Sequence, residues 1–119
     1  MVLMDTTVSC SARALLDTWS SHTWTEGVQL ENIQDMERLT VLTENSTYEI
    51  TVISGRTGDI LVRGGRFFPE FTPARLAGSS LGGSFLKLRG VYLGFNLEIH
   101  FDQRLIITSR VRQISIPVQ

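Results

Sequence analysis

Two rhythms divide this chain. Val8, Ala12, Leu15, Leu16 and Trp19 recur at helical spacing, with Asp5 or Ser9 placed to cap the first turn, so the pattern predicts a short N-terminal amphipathic helix that stops near Ser20. The next segment, HTWTEGVQLENIQDMER, sets Leu30, Ile33 and Met36 three residues apart after the breaker Gly27, which fits either a second helical turn or an acidic linker. After Arg38 the period drops to two. RLTVLT and TYEITVIS are rich in Val, Ile, Thr and Tyr and flank Glu44-Asn45-Ser46, so they read as a hairpin; SGRTGD is a second turn, leading into ILVRGG. The strongest alternation sets Val91, Leu93, Phe95, Leu97, Ile99 and Phe101 against Tyr92, Gly94, Asn96, Glu98 and His100, and it predicts one unbroken, half-buried antiparallel strand. Asp102-Gln103 turns the chain into RLIITS. RVRQISI follows, with a phase shift between Val111 and Ile114 of the kind a bulge causes.

Six to seven short strands joined mostly by tight turns predict a mainly β fold, a small antiparallel β-barrel or sandwich with a short N-terminal helix. The division expected is residues 1–37 for the helix and acidic linker and residues 38–119 for the barrel. Closure would protect the strand edges. Residues 66–83, RFFPEFTPARLAGSSLGG, read as one long connection because they hold two of the three prolines and several glycines. Long connections in small β domains are often functional.

Composition narrows the class. A chain of 119 residues, 42% hydrophobic and 19% charged, suits one folded domain with a single core. The lone Cys10 excludes an intramolecular disulfide and a cysteine-rich metal site. The start of the chain lacks the basic and apolar regions of a secretion signal, and no window has the apolar length of a membrane span, so a cytoplasmic location is expected. Asn45-Ser46-Thr47 is then a turn rather than a glycosylation site.

The net charge of −1 conceals a split: residues 1–54 carry eight acids and two bases, residues 55–119 nine bases and four acids. Such a split suits packing of the acidic part on the basic part, or association with a second subunit. Ten of the eleven basic residues are Arg, whose planar fork suits phosphate or carboxylate. Arg56, Arg63, Arg66, Arg75, Lys87 and Arg89 are interleaved with Phe67, Phe68, Phe71, Phe85 and Tyr92, a mixture suited to a nucleotide or single-stranded nucleic acid through ion pairing and stacking. A pI near 6.1 disfavours nonspecific nucleic-acid binding.

Sharper motifs carry less. Gly78-Ser79-Ser80-Leu81-Gly82 matches the nucleophile elbow G-x-S-x-G, but a strand rather than a helix follows it, and the only later His is His100, beside Glu98 on the same strand face. A serine hydrolase centred on Ser80 is therefore the third reading. Gly78 and Gly83 have phosphate-loop spacing, yet Ser84-Phe85 stands where Lys-Ser/Thr is needed. Gly55-Arg56-Thr57-Gly58 joins two strands, unlike the G-x-x-G loop that clamps nucleic acid between helices. With His22 and His100 as the only histidines, no metal spacing is present, and no motif requires a cofactor.

Ser79-x-x-Gly82, followed by LGFNLEIHF and RLIITSRVRQI, resembles the back half of PilZ domains over residues 77–116. These are small β-barrels that bind cyclic di-GMP through R-x-x-x-R and a later [DN]-x-S-x-x-G. The resemblance implies Arg63, Arg66, Ser79 and Gly82 as ligand residues. Here Ala77 replaces the Asp or Asn, and the Arg pair is spaced R-x-x-R. The sequence thus points to a non-enzymatic binding module presenting residues 63–89 to a nucleotide, another small anion or a partner protein. The alternative is a structural domain that self-associates into a homo-oligomer.

Overall fold

Alternation after Arg38 becomes strand pairing. The computed structural model describes Trp19 and residues 24–116. The predicted helix ending at Trp19 otherwise lies outside the described residues. The strands are β1 (Gly27–Gln29), β2 (Arg38–Thr43), β3 (Thr47–Ser54), β4 (Asp59–Gly64), β5 (Phe68–Leu81), β6 (Ser84–Leu88), β7 (Gly90–Tyr92), β8 (Asn96–Phe101) and β9 (Arg104–Ser115). Six of them, in the order β4-β3-β2-β9-β8-β5, pair in sequence, and β5 pairs again with β4, which closes an antiparallel barrel. β6 is an extra strand on β5, and β1 and β7 form a separate two-stranded ribbon.

The inward positions are the apolar half of each alternation. Leu39 and Val41, Ile50 and Val52, Ile60 and Val62, Leu97 and Ile99 are all buried together with Phe68, Leu76 and Val111. Each such side chain contributes about 1.5–3 kcal/mol by leaving water. Residues before Arg38 join this core. Leu30, in a single 3-10 turn over Leu30–Asn32, is wholly buried, and Ile33 is nearly so. The Leu30 amide donates to the Arg89 carbonyl at 2.9 Å, tying the turn to the link between β6 and β7.

Two segments differ from the sequence expectation. Residues 66–83 are not a long connection, because 14 of them form β5. The prolines mask the strand in the sequence, and the pairing explains how they are tolerated: up to Arg75 the strand pairs only with β4, and β8 takes up its other edge from Arg75 onward. Pro69 and Pro73 therefore lie where one edge of the strand has no partner among the described residues, the position open to a residue without an amide hydrogen. The alternation from Val91 to Phe101 is not one strand either. It breaks at Leu93–Phe95, where Gly94 takes φ +86° and its amide donates to the Val111 carbonyl at 2.8 Å. β7 is thereby diverted to pair with β1.

Other turns follow the sequence. Phe101 pairs with Arg104 across Asp102 and Gln103, both at positive φ, the two-residue hairpin that matches strand twist. β9 carries the expected irregularity, since its register against β2 shifts between Gln113 and Val111. No helix among the described residues is long and apolar enough to cross a membrane.

Candidate functional site

The β2–β3 and β4–β5 turns are neighbours because β3 pairs with β4 in a register that sets Tyr48 opposite Gly64. Between these turns and the middle of β9 opens a cleft of about 290 Å³, lined by Asn45, Ser46, Tyr48, Arg66, Phe67 and residues 106–109. Its walls are fixed by hydrogen bonds that consume most of their hydroxyls. Thr43 Oγ1 donates to the Ser46 carbonyl at 3.0 Å and accepts the Ser46 amide at 3.1 Å. Ser109 Oγ donates to Thr43 Oγ1 at 2.8 Å and accepts the Asn45 amide at 3.0 Å. Thr108 Oγ1 accepts the Leu97 amide at 3.0 Å and donates to the Ser109 carbonyl. On the opposite wall a Cβ at Gly65 would lie 2.6 Å from Tyr48 Oη, so glycine lets the β4–β5 turn rest on the phenol. Burial raises the Tyr48 phenol above its ordinary pKa, an effect the Ser46 hydroxyl partly offsets.

What remains uncommitted is the Arg66 guanidinium, the Asn45 side-chain amide and the exposed face of Phe67. No acid among the described residues lines the cleft. Arg66 differs in this from the other members of the basic and aromatic set. Arg63 donates from Nε to Glu49 Oε1 at 2.8 Å and lies 4.4 Å from the centre of the Phe71 ring. Arg75 is 3.8 Å from Asp59, Arg89 is 3.8 Å from Glu31, and Lys87 Nζ sits 5.3 Å from the Trp24 ring. Arg56 lies in the β3–β4 turn beside Glu31 and Asp35. Among the described residues, Arg56 and Arg66 are the two of the six that make no ion pair or ring contact, and of these two only Arg66 lines a cleft without an acid.

The four residues implied by the resemblance are dispersed. Arg66 lines the cleft; Arg63 projects from β4 into its pairing with Glu49. Ser79 is fully buried near the other end of β5, where its Oγ donates to the Gly90 carbonyl at 2.8 Å and accepts the Tyr92 amide at 3.1 Å. Gly82 lies in the β5–β6 turn, its amide donating to Asn96 Oδ1 at 2.9 Å. Ser80 is also fully buried, and its Oγ accepts the Gly83 amide at 3.3 Å. His100 pairs across strands with Arg75, five residues before Ser80. Among the described residues no group of three or more His, Cys, Asp or Glu could hold a metal ion.

Sequence reasoning did not assemble Asn45, Ser46, Tyr48, Phe67, Thr108 and Ser109. Each is unremarkable alone, and only barrel closure and the strand register bring them together. The uncompensated Arg66 was visible as part of an Arg-rich segment, but not as distinct from Arg63. No family model matches the chain, and neither a curated protein nor a solved structure matches it.

Proposed function

We propose that this protein is a non-catalytic binding module for a small anionic ligand carrying a planar group, of nucleotide size, held in the cleft between the β2–β3 turn, the β4–β5 turn and β9. The observation that carries the reading is the Arg66 guanidinium, unpaired among the described residues, in a cleft that none of their acids lines. Arg66 would pair with a phosphate or carboxylate through its fork, Asn45 would add a neutral hydrogen bond, and Phe67 would stack on the planar part. A volume of about 290 Å³ is close to the lower end of small-molecule sites, which suits a mononucleotide better than a larger ligand. A non-catalytic role agrees with the burial of Ser80, whose hydroxyl binds a turn amide.

Isothermal titration of the full chain with GMP tests the reading. Binding should be measurable for the parent, fall at least about tenfold in Arg66→Ala, as loss of a charge-assisted bond implies, and persist in Arg63→Ala. Equal loss in the two variants, or no binding by the parent, would reject it.

A further inference from the structure

The outer face of the sheet formed by β6, β5, β8 and β9 carries a pattern that meets the cleft only at Ile107. Directly opposed residues of antiparallel strands share a face. The register therefore lays out one row as Leu88, Gly78, Glu98 and Ile107, and the next as Leu86, Ser80, Asn96 and Arg110. Leu105, two residues before Ile107, extends the same face. Leu86, Leu88, Leu105 and Ile107 are four of the nine exposed large hydrophobic residues, at 39%, 56%, 49% and 43% exposure. Apolar exposure concentrated in this way marks an interaction surface.

Within this apolar frame lies a carboxylate. Glu98 is only 8% exposed, seated beside Gly78 in its row, and it makes no hydrogen bond or ion pair among the described residues. Covering it further with an apolar partner would strand a buried charge, so whatever docks here must bring a cation. The face itself supplies one. Arg110 is exposed, its guanidinium has no partner among the described residues, and it stands on the same face, opposite Asn96 and one row from Glu98.

We infer that this face is a self-association surface, and that two copies of the chain dock through it with Glu98 of each copy paired to Arg110 of the other. A two-fold axis passing beside Ile107 exchanges the two positions, since Ile107 lies opposite Glu98 and three residues before Arg110. The two charges make the face complementary to itself, which a surface of one sign would not be. Ile107 meets its own counterpart at the axis. The remaining aliphatic residues exclude water from the paired charges.

Sedimentation equilibrium of the full chain at micromolar concentration tests it. The parent should be a dimer, Arg110→Glu should weaken dimerisation about tenfold or more by setting two carboxylates together, and Arg110→Lys should remain a dimer. Position 110 is exposed, so both variants keep the fold, as far-UV circular dichroism will show. Adding Glu98→Lys to Arg110→Glu should restore the dimer; if that double variant is unfolded, the two single variants decide alone. A monomeric parent, or a dimer indifferent to Arg110→Glu, overturns the inference.

Discussion

Ser79 Oγ stands 3.1 Å from the Tyr92 amide nitrogen, and the same hydroxyl donates to the Gly90 carbonyl, so one buried side chain fastens β5 to both ends of β7. Removing it leaves a buried backbone donor and acceptor without this partner. Ser79→Ala should cost about 1–3 kcal/mol in urea unfolding. It should leave GMP binding unchanged. A variant that binds less but is equally stable would mean that Ser79 belongs to a ligand site after all.

Gly78 and Gly82, four residues apart, should respond differently to alanine. A Cβ at Gly78 would fall 2.0 Å from the Lys87 carbonyl oxygen, at φ +149°, with backbone on the contacted side. Relieving that overlap requires β5 and β6 to separate, at a cost of about 2 kcal/mol or more. Gly82 has φ +62° but open space around it, so its alanine variant meets only the left-handed penalty of about 1–2 kcal/mol. Thermal unfolding of the two variants gives the order directly.

Leu30 lies in the segment whose spacing fits either a helical turn or a linker, and it sits in a 3-10 turn fully buried against the barrel core. Leu30→Ala should destabilise the whole protein by about 2–5 kcal/mol in a single cooperative transition. A loss below about 1 kcal/mol, or a separate early transition, would show that this turn is an appendage to the barrel.

Burial raises the Tyr48 phenol above 10.0, and burial followed by the charge of Glu31 raises Tyr92 in the same direction. The folded protein therefore holds these protons more tightly than the unfolded chain. Their contribution is intact below the unfolded value and is lost as pH rises through the folded values. Urea midpoints should fall as pH rises past about 10, and Tyr48→Phe should flatten part of that fall. An unchanged slope in the variant would count against the shift at Tyr48.

The legible part of the fold was the local part. β2, β3 and β4 follow directly from their alternating residues and turn compositions, and the bulge in β9 was visible as a phase shift. β5 was hidden by Pro69 and Pro73, whose tolerance depends on the strand having one partner there, a fact of topology rather than composition. The break at Gly94 was hidden because Leu93 and Phe95 keep the alternation intact while the chain changes partners. The cleft was the least legible feature. Arg63 and Arg66 differ only in what the barrel places beside them: Glu49 and Phe71 for one, an acid-free hollow for the other.

Amide chemical-shift mapping of the ¹⁵N-labelled protein titrated with GMP tests the central claim most directly. The account predicts saturable shifts concentrated at Asn45, Ser46, Phe67 and Ser109, absent in Arg66→Ala. Shifts centred on residues 79–83, or none that saturate, would contradict it.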